Sequence, residues 1–518
     1  MANLIPTKHI VKGREAWLTN LSLTFMIFEK VRSSLGPRGG YKMITYNKGP
    51  EQVVKISRDI IPTLEELGIQ YPAISFIGEA AKMQREECGE GVTQFTMLVS
   101  ALIMEAEKLQ NQGIHPNKII EGYMKAARKS IEIIEEMSYE INKDSFGAVL
   151  KSIDCERGLL PQELSEATLE AFKITRMNPS HDLDRVRFIK KIGGKGSESK
   201  LVHGIILKGE KSHPGMPDTV EDPKIAILSG GLAPRLETKM KGEGPTEIEL
   251  TITDPNLVSR FREAEMEKKR AQVSQLKELG VSVLLSGQPL DESVKGLMMK
   301  QGIFAVDSVK KEDLEEVARA TGAEVASRLS DLFKDSLGSA EKLYTEDLAS
   351  EKVINITGCS GASFLLRGST ENHLTELEAT IKNALKALKV MDENPRVVSG
   401  GGAAEIEVSR KLSDYALSFT GKEQLAVQKF ANAVEEIPRN LAINNGLDEV
   451  ETMMKLRSSH EAGKMAMGIG LKRCSENVCL DIFRVKKSLF IRATEVASMM
   501  LRIDTLMISN EIAKFHKK

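Results

Sequence analysis

The chain has 518 residues, with 72 Lys+Arg against 73 Asp+Glu, 41% hydrophobic and only 5% aromatic residues. The balanced charge offers no broad basic field for nucleic acid, and the scarce aromatics offer no base-stacking platform. No run approaches the ~18–20 apolar residues that span a bilayer, and the polar start, broken by Pro6 and Gly13, does not resemble a signal peptide.

In chain order, residues 15–35 predict a helix with Leu18, Leu21, Phe25, Phe28 and Val31 on one face. Residues 43–46 and 52–56 predict a hairpin around Gly49-Pro50. Helices are predicted over 72–87, 92–110 and 116–137, the last opened by Pro116 near its first turn. Short helices follow from about 145, then the loop 193–197 and a strand over 202–207. Residues 209–222, rich in Lys, Pro and Gly, predict a hinge.

A mixed α/β segment begins with a strand at 224–228. It continues with strands near 246–252, 281–285 and 303–306 among helices near 255–279, 291–300 and 311–321. The charged helix over 257–279 is either a solvated helix with one packed face or a protruding arm with an exposed apolar edge. A strand at 363–366 and a long helix over 371–392 lead to helices over 403–418, 421–443 and 480–510. At ~150 residues per domain, about three domains are expected. Cys88, Cys155, Cys359, Cys474 and Cys479 are sparse, which fits reduced thiols in a cytosol, and Cys474 and Cys479 lack zinc-knuckle spacing.

Three glycine-rich stretches stand out: Leu35 to Gly40, Gly89 to Thr93, and Gly400 to Glu405. Each precedes residues that could open a helix. A glycine turn lets backbone approach a phosphate, and a helix N-terminus offers N–H groups and the positive end of its dipole. Read together, they predict one phosphate-binding pocket in a domain built from both chain ends, with other domains inserted between. A stand-alone phosphotransferase would want a Walker-type lysine motif, and the sequence contains none.

The stretches VRSSLGPRGGYKM (31–43), HPNKIIEGY (115–123), TDPNL (253–257), VKKEDLEEVARATGA (309–323), LRGSTE (366–371), SGGGAAEIE (399–407) and ATEVASMMLRID (493–504) resemble the group II chaperonins, the ATP-driven folding rings of archaea and the eukaryotic cytosol. The match runs through nearly the whole chain in the family's order. Met83-Gln84, 191–204 and 430–439 narrow the resemblance to one subunit class of the eukaryotic cytosolic chaperonin, TRiC. The resemblance implies an α/β multidomain chaperonin fold. A mostly helical equatorial nucleotide domain would take 1–144 and 398–518, and a small intermediate hinge domain 145–208 and 364–397. An α/β apical substrate domain with a helical lid would take 209–363. It also implies ATP and Mg²⁺ as cofactors, a cytoplasmic location, and paralogous subunits in a hetero-oligomeric double ring as partners. Non-native clients such as actin and tubulin are implied the same way, with no nucleic acid and no membrane.

By the same resemblance, Gly36 and Pro37, Gly89, Glu90, Gly91, Val92 and Thr93, and Gly401 and Gly402 surround the nucleotide. Asp481 stands where a family carboxylate reaches the ribose, although it also reads as a solvated loop residue or helix cap. Asp59 stands at a family Asp near the phosphates, and also reads as a turn residue.

The sequence departs from the pattern where hydrolysis is at stake. The family's magnesium ligand is Asp; here it is Glu90, about 1.5 Å longer, against an ion that wants near-ideal octahedral geometry. Val92 removes a hydroxyl, and Ile60 is expected to crowd the same corner. The family's catalytic Asp is Asn383, which can orient water but cannot accept its proton. A nucleotide-sensing lysine corresponds loosely to Glu156. These departures imply a subunit that binds ATP and hydrolyses it weakly or not at all; the alternative is a fully active subunit.

Overall fold

The computed structural model describes residues 9–48, 51–68, 71–157, 162–176, 183, 186–194, 196–232, 255–348, 351–476 and 479–508. The Gly49-Pro50 turn, the strand expected at 246–252 and the last residues, 509–518, lie outside them, as does the side chain of Glu156.

The chain forms two compact units, one of residues 1–172, 192–197 and 368–518, the other of 173–191 and 198–367. The first therefore draws on both chain ends. Its core is helical. Helix Val92–Asn111 is buried along most of its length, from Val92 and Phe95 to Leu109. It packs against Gly13–Val31, Lys422–Asn444 and Phe483–Leu501. Pro116 opens helix Pro116–Met137, and Ile119, Tyr123, Ala126, Ile133 and Ile134 recur on its buried face at helical spacing. Tyr123 is fully buried and donates its hydroxyl to the Leu102 carbonyl at 2.9 Å, which satisfies the one polar atom of an otherwise apolar contact.

Strands Lys42–Lys48 and Glu51–Ser57 pair antiparallel, as the hairpin pattern predicts. The first glycine stretch therefore leads into a strand and not a helix. The expected helix over 480–510 is shorter. Leu480–Ile482 is a strand paired with Arg396–Ser399, helix Phe483–Leu501 follows, and Thr505–Ile508 pairs with His9–Lys12. Helices Ile61–Gly68 and Glu449–Glu461 were not expected.

In the second unit, Lys224–Leu228, Val283–Ser286, Phe304–Val306 and Val325–Ala326 form a parallel sheet, with Gly338–Ser339 antiparallel at Lys224–Leu228. Its strands are apolar on both faces, as a sheet covered by helices requires. A second sheet is built on the 18-residue strand Glu351–Gly368, of which residues 363–366 are one part. The stretch 145–208 holds helices Phe146–Arg157 and Gln162–Arg176, and also an unexpected strand, Val186–Ile192. Helix Pro255–Glu278 buries Val273 and Leu276 near its C-terminal end, while Glu263, Ala264, Glu265, Glu267 and Lys268 are exposed. Among the described residues no helix is long and apolar enough to cross a membrane.

Candidate functional site

The first unit contains a cleft with a cavity volume of about 150 Å³. Three segments far apart in sequence line it: Ser34 to Gly36, Lys55 to Asp59 and Glu90 to Gln94. Arg85 adds to the wall. Asn372, Thr375, Glu376, Ala379, Thr380 and Asn383 close it from one face of helix Glu371–Glu393, as their spacing of three to four residues dictates.

Two glycine turns line the cleft, each with a backbone that favours glycine. Gly36 has φ +80°, and a Cβ there would lie 2.3 Å from the Leu441 side chain. Asn444 holds this turn by donating to the carbonyls of Arg32 and Leu35, both at 2.8 Å. Gly91, at φ +80°, is the N-cap of helix Val92–Asn111. The first-turn N–H groups of Val92, Thr93 and Gln94 have no partner within the helix and belong to the cleft wall.

The third glycine turn lies elsewhere. Gly401 and Gly402, with φ of +66° and +80°, open helix Ala403–Ala416 but do not line the cleft. They pack on their own neighbours. The Ile469 N–H donates to the Gly401 carbonyl at 2.8 Å, and a Cβ on Gly402 would meet Pro438 at 2.7 Å. Pro37 and Gly89 are likewise not wall residues.

Asp481 reaches the third turn. A Cβ on Gly400 would lie 2.7 Å from its Oδ1. It sits in strand Leu480–Ile482, with 12% of its side chain exposed, and pairs with Lys486 at 2.7 Å. It is therefore neither a solvated loop residue nor a helix cap. Lys486 is nearly fully buried and also pairs with Glu405, on the helix opened by Gly402, and with Gln94, on the helix opened by Gly91. One ammonium thus ties together the second and third glycine turns and Asp481. A smaller pocket lined by Asp481 and Lys486 adjoins the cleft, with Glu90, Gly91 and Gln94 common to both.

Asp59 accepts from the Ile61 N–H at 3.0 Å and forms an ion pair with Arg85. Sequence reasoning missed that guanidinium, because nothing in the local pattern places residue 85 beside residue 59. Ile60 does not crowd the cleft. It is 1% exposed and belongs to the hydrophobic core, which an aliphatic side chain prefers to a polar wall. Val92 is also a core residue, at 5% exposure, so its methyl groups face apolar neighbours where a hydroxyl would need a partner.

Asn383 is 6% exposed and lines the cleft. Glu376 stands seven residues earlier on the same helix and accepts from the Arg58 N–H at 3.0 Å. Burial pushes its carboxyl above the usual range, although that N–H opposes the shift. Among the described residues no cluster of three His, Cys, Asp or Glu could hold a metal ion unaided. Magnesium needs only one or two protein carboxylates beside phosphate oxygens and water. An ion carried mainly by phosphate oxygens would meet Glu90 as a carboxylate of this wall, whereas Asp59 already faces a guanidinium.

The model of the TCP-1/cpn60 chaperonin family matches residues 27–511. A thermosome subunit of Pyrococcus abyssi is 36% identical over 97% of this chain and 92% of its own length. Thermosome subunit alpha of Archaeoglobus fulgidus is 36% identical over 97% and 93%. Thermosome subunit beta of Thermoplasma acidophilum is 34% identical over 96% and 92%.

Proposed function

We propose a function on this premise: the chain belongs to the TCP-1/cpn60 chaperonin family, as a thermosome-like group II chaperonin. It is a subunit that holds ATP and hydrolyses it weakly or not at all. The observation that carries this reading is Asn383, buried in the wall of a cleft made by two glycine turns, where the resembled family has Asp.

The first-turn N–H groups of Val92, Thr93 and Gln94 would bind phosphate oxygens, and the Asp481 carboxylate would accept from ribose hydroxyls through the adjoining pocket. A bound magnesium ion would supply positive charge to the phosphate oxygens beside Glu90. Asn383 can orient a water by hydrogen bonding, but its amide takes no proton at neutral pH. General-base assistance contributes about 10²–10⁴ in rate, or roughly 3–5 kcal/mol of barrier. Glu376 lines the same cleft, but its position on the helix is two turns away from Asn383.

The partners are paralogous subunits in a hetero-oligomeric double ring, and the clients are non-native cytosolic proteins, with actin and tubulin as the leading examples. The stretches at 83–84, 191–204 and 430–439 support the theta subunit of TRiC as the equivalent. The equatorial, intermediate and apical assignments, with a lid around 257–279, belong to the same proposal. A subunit that stays in one nucleotide state favours one ring state and makes the cycle asymmetric.

The test is to load the assembled complex with ATP, quench it in acid after its active subunits have turned over, and identify the nucleotide recovered per ring. A persistent ATP fraction that disappears when this subunit's Asp481 is replaced by Ala supports the proposal. Complete conversion to ADP contradicts it.

A further inference from the structure

Arg85 stands in the last turn of helix Pro72–Cys88, four residues before Gly89. It lines the cleft together with Glu90 to Gln94, where helix Val92–Asn111 begins. One Nη bonds Asp59 Oδ1, while Nε is buried and has no hydrogen-bond partner. A buried guanidinium N–H without an acceptor is costly, and a guanidinium matches a phosphate through two parallel N–H groups. Asp59 is itself fixed by the Ile61 N–H and so holds the guanidinium in place. The wall thus presents an oriented cation and a set of first-turn N–H groups to the same space.

We infer that Arg85 reads the terminal phosphate of a nucleoside triphosphate, with Asp59 as its positioning residue. This rests on the proposed nucleotide-holding role and deepens it. Recognition of the third phosphate comes from a side chain of this protein, so preference for ATP over ADP survives removal of divalent cations.

The competing account is that the Arg85–Asp59 pair only ties the turn at 57–59 to helix Pro72–Cys88. The two accounts differ in what Arg85→Gln changes. ATP and ADP affinities are measured on the full-length chain by equilibrium binding, with magnesium and with EDTA. The wild type is expected to prefer ATP by roughly tenfold in EDTA, the scale of one charge-assisted hydrogen bond. Arg85→Gln should abolish that preference while leaving ADP affinity within about twofold, and Arg85→Lys should restore part of it. An ATP-to-ADP ratio in EDTA that is the same in wild type and Arg85→Gln overturns the inference. If Arg85→Gln does not fold, Arg85→Lys alone decides: a lowered ratio supports the inference and an unchanged one overturns it. Failure of the wild type to bind ATP, ADP or tripolyphosphate in either condition would instead overturn the nucleotide reading beneath it.

Discussion

A Cβ placed on Gly89 would lie 2.4 Å from the carbonyl oxygen of Asn383. The second glycine turn and the helix that carries Asn383 therefore touch backbone to backbone. That contact requires the absence of a side chain, and it sets how far the Asn383 amide stands from the Glu90–Thr93 wall. Gly89 acts by letting the helix approach, not by lining the cleft.

Gly89→Ala should destabilise the first unit by about 2–5 kcal/mol, from a left-handed backbone at φ +69° and an overpacked contact. The chain's single tryptophan, Trp17, is buried in that unit's core and reports its unfolding by fluorescence. A denaturant midpoint unchanged from wild type would show that the helix moves aside freely.

Lys486→Met should cost about 3–5 kcal/mol, because Asp481 and the fully buried Glu405 lose their cation. The same fluorescence transition measures it. Lys486→Met combined with Glu405→Gln should recover part of the loss, since one buried charge is then removed with its partner.

Glu407 and His460 form a second buried pair at 3.0 Å, with Arg410 also donating to Glu407. Burial pushes the Glu407 carboxyl up, but His460 and Arg410 outweigh it and bring it down to about 2 from 4.5. Its folded form therefore holds the proton less tightly than its unfolded form. The stabilisation, about 3 kcal/mol, is complete above the unfolded value and is lost as pH falls from 4.5 towards 2. Glu407→Gln should flatten this acid-side slope in a pH series of unfolding midpoints. An equal slope in both proteins would contradict it.

Much of the fold is legible in the sequence because local rules apply. Pro116 marks a helix start that the structure keeps, and the strand stretches 43–46 and 52–56 pair as the hairpin they predict. Helix Glu449–Glu461 is not legible, because Thr452, Met453, Leu456 and His460 make a buried face with few apolar residues. Asp481 reads as the start of a helix, but pairing with Val398 makes it a strand residue. The same limit governs the site. Gly36, Glu90 and Asn383 are legible from motifs, whereas Arg85 beside Asp59, and Glu376 on the Arg58 N–H, depend on packing between distant segments.

Asn383→Asp should raise hydrolysis at this site by up to about 10²–10⁴, measured as phosphate release from a complex whose other subunits are inactivated. An unchanged rate would mean that the missing base does not limit the reaction.

The most direct measurement is a high-resolution structure of the assembled complex after incubation with ATP long enough for active subunits to turn over. The density beyond the β-phosphate beside Arg85 and Asn383 decides. A retained γ-phosphate in this subunit is the predicted result. ADP with that phosphate gone would contradict the account and return the chain to the working ATPases.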